Sequence, residues 1–267
     1  MDIWIHDDEQ LEELLNAKIK TREQLSHWPL SYVEKITLNN NTQIVYKSQR
    51  SAASVEKEIY SKMKTFFMPP LIYTGVYENC DIMLMSYLDY PTLGNVSECE
   101  LERIVLYISG IIQDFSDMPV FFDISSVERL KHIIETVCIG FDAGDDTQNI
   151  IALKKWISDN AYECYDNWQI GFVHGDLTAA NILVDNGNPR YIIDWQRPMV
   201  APVMLECAMA FRLAGYDAVK KFGEFGLLAT ICDFIWYAYA YKRFLRYEFI
   251  YNQAKKFLSE FTTLLYI

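Results

Sequence analysis

Positive charge is in short supply: 24 Lys and Arg stand against 36 Asp and Glu, a formal net charge of −12 over 267 residues. The averaged field repels phosphate backbones and anionic headgroups, so neither nucleic acid nor a membrane surface is an expected partner. Paired cysteines are missing too. Cys80, Cys99, Cys138, Cys164, Cys207 and Cys232 are scattered with no CxxC and no regular interval, which excludes a disulfide framework and offers no thiolate metal or redox site. No apolar run is long enough for a bilayer. The most apolar stretch, residues 226–241, is interrupted by Asp233 and falls short of the ~18 uninterrupted residues a span needs, so it reads as a core helix. Asp2, Asp7, Asp8, Glu9, Glu12 and Glu13 crowd the first fifteen positions, opposite in sign to a targeting leader, and the expected compartment is the cytoplasm. Internal repeats and low-complexity segments are absent as well.

What is present is a globular composition, 51% hydrophobic and 15% aromatic, sufficient for a large packed core. Residues 8–25 carry Leu11, Leu14, Leu15, Ile19 and Leu25 near helical spacing and predict one helix. Residues 32–38 and 43–47 are short β-branched runs separated by Asn39, Asn40 and Asn41, which predicts a hairpin. Ser54 is a candidate N-cap for a helix striped by Val55, Ile59, Met63 and Phe66, ended by Met68-Pro69-Pro70. Residues 71–77 and 82–87 are strand-like around a turn containing Glu78, Asn79 and Asp81. Beyond Pro91 helices dominate, over 101–115, 126–137, 150–168 and from about Met204 onward, with a loop at 142–146. A β-rich front of residues 1–88 joined to a helical back of residues 89–267 predicts an α+β chain of two lobes, with a ligand cleft at their junction.

The informative stretch is 171–195, GFVHGDLTAANILVDNGNPRYIIDW. Turn residues 185–190 separate two runs of equal length, 181–184 and 191–194. Folding them back pairs Val184 with Tyr191 and, counting outward, Asn181 with Asp194, with Cβ atoms roughly 5 Å apart. An amide and a carboxylate oxygen on one face suit Mg²⁺, which takes its remaining ligands from water and substrate phosphates. Asp176, on the loop leading into the first strand, is placed for a carboxylate that orients a nucleophile. His174 and Gly175 complete the turn, the histidine tying the loop down.

His174-Gly175-Asp176 with Asn181 five residues on, followed by Ile193-Asp194-Trp195, resembles the catalytic and metal-binding motifs of the aminoglycoside phosphotransferase family, whose fold is similar to that of protein kinases. The resemblance implies a bilobal protein-kinase-like fold with a nucleotide-binding first lobe. It also implies transfer of a nucleoside triphosphate's γ-phosphate to a hydroxyl, with Asp176 acting on the acceptor and Asn181 and Asp194 holding Mg²⁺. Lys47, at the end of a strand, then takes the α/β-phosphates, and a glutamate of the next helix fixes its direction. Glu58 is the choice and Glu56 the alternative, since the two differ by about 200° around a helix. Met85, Ser86 and Leu88 correspond to the gatekeeper and hinge, the backbone of Ser86 and Leu88 binding the base of ATP or GTP, with Val45 and Tyr87 as apolar cover.

Three departures stand out. The turn at 38–42 has no glycine, leaving either a looser phosphate cradle or asparagines in left-handed conformations. Only one hairpin is legible before Lys47, which predicts an abbreviated small lobe. Gln196 and Glu206-Cys207-Ala208 replace the family's usual acid after the tryptophan and its Asp-Leu-Ala, with Glu206 as a buttress for the catalytic loop. The acceptor is written in no motif. An antibiotic such as an aminoglycoside is the first expectation; Asp142, Asp145, Asp146 and Asp233 would attract a cationic acceptor if they lined its site, but they read first as solvated loop or helix-surface carboxylates. The alternatives are a metabolic kinase of the choline, homoserine or sugar type, and a catalytically silent nucleotide-binding protein. The aromatics between Phe234 and Tyr247 read mainly as core.

Overall fold

The stretch 8–25 is not one helix. α1 (Asp8–Leu15) starts from a capping box in which Asp7 accepts from the Gln10 amide while the Asp7 amide donates to the Gln10 side chain. It stops at Asn16, whose φ of 46° is left-handed, and the chain turns into β1 (Ile19–Trp28). β1 is a sheet edge, exposed along most of its length and interrupted by two register shifts. The alternation that marks a half-buried strand never develops there, and its apolar residues fall by chance at helical intervals.

The structure, a computed structural model, describes residues 3–62, 67–113, 117–139, 146–244 and 247–266. It resolves into two units, one comprising Met1–Leu93 and Asn181–Gln196, the other Gly94–Ala180 and Arg197–Ile267. The expected boundary after Leu88 thus lies five residues early, and the 181–196 segment joins the first unit.

In the first unit, β2 (Ser31–Leu38) and β3 (Gln43–Arg50) follow β1, and β4 (Leu71–Tyr77) and β5 (Cys80–Ser86) complete an antiparallel sheet of order β1-β2-β3-β5-β4. With five strands the small lobe is not abbreviated; the missing strand was the misread β1. Ile36, Leu38, Ile44, Tyr46, Ile82 and Leu84 pack with Leu11 into one core. Strand alternation then sends Lys47 to the face opposite Tyr46. α2 (Glu56–Lys62) begins where Ser54 Oγ accepts from the Glu56 amide; Met63 and Phe66, of its expected stripe, lie outside the described residues. The β4–β5 turn is Glu78-Asn79, both left-handed, and Asp81 belongs to β5.

In the second unit, α3 (Glu98–Ile112), α4 (Val127–Cys138) and α5 (Thr147–Asp159) precede α6 (Met204–Leu213), α7 (Ala218–Phe222), α8 (Glu224–Arg243) and α9 (Glu248–Leu264). The expected helix over 150–168 ends at Asp159, followed by a 3-10 turn at Ala161–Cys164, and Phe115 lies outside the described residues. Leu130, Ile134, Trp156, Phe234 and Phe261 are among the buried residues of its core. A small sheet orders β6 (Phe122–Asp123), β10 (Met199–Pro202) and β7 (Ile170–Val173), with Val173 opposite Met199. This pairing fixes the chain on both sides of the motif stretch, just before His174 and just after Arg197. Among the described residues no helix is long and apolar enough to cross a membrane.

Candidate active site

The motif residues form two clusters, one within each unit. In the first, Lys47 is buried on β3, the third strand, and its Nζ lies 2.5 Å from Glu56 Oε2 and 2.6 Å from Asp194 Oδ1. Glu56, not Glu58, is therefore the lysine's partner. Glu56 opens α2 and is buried, whereas the Glu58 side chain is 45% exposed and sits beside Lys57. Burial by itself lowers the lysine's pKa, but the Asp194 and Glu56 carboxylates outweigh it and hold the ammonium charged. The other Glu56 oxygen accepts from the Trp195 amide at 3.3 Å, and the indole of Trp195, fully buried, donates to the Ile192 carbonyl. The tryptophan thereby pins the hairpin end to α2.

That hairpin is β8 (Ile182–Asp185) and β9 (Asn188–Ile192). Its register differs by one from expectation: Leu183 pairs with Tyr191, Ile182 with Ile192, and a shift separates Leu183 from Val184. The turn is only Asn186-Gly187, both at positive φ as a two-residue hairpin turn requires, so the pairing reaches Asp185 and Asn188, inside the stretch whose composition suggested a longer turn. The Ile193 amide donates to the Asn181 carbonyl at 3.0 Å. Asn181 thus stands opposite Ile193, and Asp194 follows one residue beyond, with φ +66°. A left-handed aspartate costs energy that the buried Lys47 and Trp195 contacts offset. Asp194 keeps a 33% exposed side chain.

At the end of β5 the Ser86 amide donates to the Pro70 carbonyl and the Tyr87 amide to the Gln43 carbonyl, so the Ser86 N–H is engaged within the first unit. Met85 is buried and pairs with Val45 across the sheet, and Lys35 Nζ lies 5.0 Å from the Tyr87 ring centre. Two turns precede Lys47, Pro29-Leu30 and 39–42, and neither contains glycine. Of the three asparagines only Asn41 is left-handed, at φ 64°.

In the second cluster the chain leaves β7 at His174, which is fully buried; its Nδ1 accepts from the Asp176 amide at 3.2 Å. Gly175 has φ +76°, and a Cβ there would lie 2.4 Å from the Arg197 carbonyl oxygen. Only glycine fits. Glu206 of α6 takes the amides of His174, Gly175 and Leu177 on its buried carboxyl, as the expected buttress. Burial pushes that carboxyl up to about 7 despite the amides that favour its charged form.

Asp176 has partners that no motif announced. Arg197 Nη2 donates to Asp176 Oδ1 at 2.9 Å, and its Nη1 donates to Asp233 Oδ1, also at 2.9 Å. Asp233 also accepts from Arg212, which meets both Glu260 oxygens at 3.1 Å. The one sequence signal for this network was Asp233 itself, an acid interrupting the most apolar stretch of the chain. Asp233 is buried between two guanidiniums and does not present a bare charge to a cation. Asp146 is likewise buried and 3.0 Å from Lys255; Asp142 and Asp145 lie outside the described residues. The C-terminal aromatics pack as core: Phe234 is buried, Tyr237 meets Phe257, and Tyr239 meets Phe121 and Phe122.

The donor set in the first unit fits a hard divalent cation. Asn181 brings an amide oxygen and Asp194 a carboxylate that is partly open to solvent, where Mg²⁺ prefers few protein oxygens and several waters.

A sheet unit carrying a Lys–Glu pair, followed by a helical unit carrying the HGD loop, is the arrangement of a kinase-like fold. The comparisons agree. Residues 141–231, which contain the whole motif stretch, match the model of the phosphotransferase enzyme family, APH. The structure resembles a thermostable mutant of aminoglycoside phosphotransferase APH(4)-Ia in ternary complex with ADP and hygromycin B, at TM-score 0.58 and 14% identity, covering 94% of this chain and 97% of that one. It resembles the streptomycin–ATP–APH(2'')-IIa ternary complex at TM-score 0.58 and 16% identity, covering 97% of each chain. A third likeness is macrolide 2'-phosphotransferase MphH from Brachybacterium faecium, at TM-score 0.57 and 13% identity, covering 95% of this chain and 97% of that one. At these identities the likeness is one of fold. No curated protein matches the sequence.

Proposed function

We propose that the chain is a small-molecule O-phosphotransferase that moves the γ-phosphate of ATP or GTP to a substrate hydroxyl. The observation that carries this reading is the buried Lys47 shared by Glu56 and Asp194, residues 9 and 147 positions away in sequence. A merely structural ion pair has no need of a third member, a left-handed and partly exposed acid. A phosphate-binding lysine held by a glutamate beside a metal-binding aspartate has that need.

In this reading Glu56 fixes the direction of the Lys47 ammonium, which steadies the α/β-phosphates, while Met85 and the backbone of Ser86 and Leu88 hold the base. Asn181 and Asp194 hold Mg²⁺, which when bound neutralises charge on the phosphate oxygens. Asp176 hydrogen-bonds the acceptor hydroxyl and aligns it, and His174 and Glu206 keep the loop backbone still. Little covalent work is asked of the protein, so alignment and charge supply most of the rate.

The names of the similar structures make aminoglycosides and macrolides the first acceptors to test. A second reading, a metabolic kinase with an acceptor of low positive charge, is favoured by Asp233, whose charge is already matched by Arg197 and Arg212. The experiment is turnover of Mg·ATP and Mg·GTP across aminoglycosides, macrolides, hydroxylated amines and sugars, with Asp176→Asn as control. Acceptor-dependent turnover lost in the control supports the proposal. Nucleotide binding without turnover of any acceptor supports a silent nucleotide-binding protein instead.

A further inference from the structure

We infer that Arg197 is a positioning residue for Asp176, itself held by a chain of alternating charges that runs through α8 to α9. The inference rests on the reading of Asp176 as the group that orients the acceptor. His174 and Glu206 hold the loop backbone around Asp176, and Arg197 acts on the carboxylate itself: one guanidinium nitrogen meets Asp176, the other meets Asp233, and the guanidinium carbon lies 5.5 Å from the Trp236 ring centre. A planar fork tied at two points and set beside a ring has little freedom left, which a lysine's single point charge cannot reproduce.

The far end of the chain is equally constrained. Asp233 is 3% exposed in an apolar helix, a position tolerable only with its charge matched. Arg212 supplies the second match, and is itself held by both Glu260 oxygens and by Thr230 Oγ1 at 3.1 Å. Asp233, Trp236 and Glu260 all lie beyond the family-matched residues 141–231. The last two helices therefore do more than pack: they orient the catalytic loop's carboxylate through Arg197.

The test is a double-mutant cycle of Arg197→Met and Asp176→Asn, using Mg·ATP and whichever panel acceptor turns over fastest. Arg197→Met is expected to lower kcat about 100-fold, the scale of a misaligned reacting group, with the nucleotide KM held within about twofold. In the Asp176→Asn background it should cost nothing further, because its effect passes through Asp176. Arg197→Lys should recover part of the loss. If Arg197→Met does not fold, Arg197→Lys and Asp233→Asn carry the same cycle. Losses that multiply in the double variant, or kcat and KM moving together, overturn the inference. So does a wild-type kcat in Arg197→Met when Asp176→Asn is inactive, and in that case the functional reading survives. Full activity in Asp176→Asn, or a wild type that turns over no acceptor, overturns both.

Discussion

Two buried ion clusters of this protein differ in how their charges are shared. Around Lys47 one cation serves two carboxylates, and one of these, Asp194, has a third of its side chain exposed. From Asp176 to Glu260 the signs alternate, and each interior member touches an opposite charge on both sides. Each cluster holds one carboxylate more than it has cations. In the first the surplus falls on a single buried lysine and opens at Asp194, as suits a site that receives a divalent ion and phosphates. In the second the surplus lies at the partly exposed ends, Asp176 and Glu260, while the interior is matched on both sides, as suits a device that holds one group still. Burial alone does not distinguish a binding cluster from a positioning one; the arrangement of the charges does.

Removal of the shared cation strikes the first cluster hardest. Lys47→Met leaves Glu56 buried without its partner and is expected to cost about 3–5 kcal/mol, read as a large drop in denaturant midpoint, together with loss of nucleotide binding by calorimetry. An unchanged midpoint would show that Lys47 is not the centre of its cluster. Gly175→Ala strikes the second unit through its backbone. The left-handed φ and the close Arg197 carbonyl predict a loss of about 1–3 kcal/mol and a lower kcat, whereas neutral behaviour would mean that the loop has room to shift.

A smaller difference separates the two glutamates of α2. Glu56→Gln is expected to raise the nucleotide KM and cost about 1–2 kcal/mol, while Glu58→Gln stays within about 0.5 kcal/mol of the parent. The reverse order would restore Glu58 as the lysine's partner. The mildest test uses pH. The Glu206 carboxyl keeps its proton up to about 7 when folded but releases it near 4.5 when unfolded, so across that window the folded state binds more protons. Its contribution is then full below about 4.5, fades as pH rises and levels off above about 7. Glu206→Gln should flatten that part of the stability profile, measured by denaturant unfolding from pH ~5 to ~8; an unaltered slope would contradict the assignment.

The sequence disclosed the first cluster better than the second for a physical reason. Lys47, Asn181 and Asp194 lie in local patterns, a β-branched run and a hairpin bounded by turn residues, and short-range chemistry is what a sequence displays; the expected strand end at Lys47 was wrong, since β3 runs on to Arg50. In the hairpin the register slipped by one, because Asn186-Gly187 turns the chain in two residues where six turn-prone residues suggested a longer loop. Glu58 was chosen over Glu56 although the helix start at Ser54 was legible, because which face of α2 turns inward is decided by packing against the sheet and not by local sequence. β1 stayed hidden because an exposed edge strand needs no apolar alternation. Arg197, Arg212 and Glu260 carried no local pattern at all. Their link to Asp176 exists only in the folded chain, and Asp233, a lone acid in apolar surroundings, was its single trace.

If the proposed function holds, a phosphoryl group ends on an acceptor's hydroxyl. Phosphorus-31 NMR of the enzyme with Mg·ATP and the acceptor panel tests it most directly. The expected result is a new phosphomonoester resonance, coupled to a carbinol proton of the acceptor, that disappears in Asp176→Asn. Bound nucleotide with no new resonance, or release of inorganic phosphate alone, would contradict it.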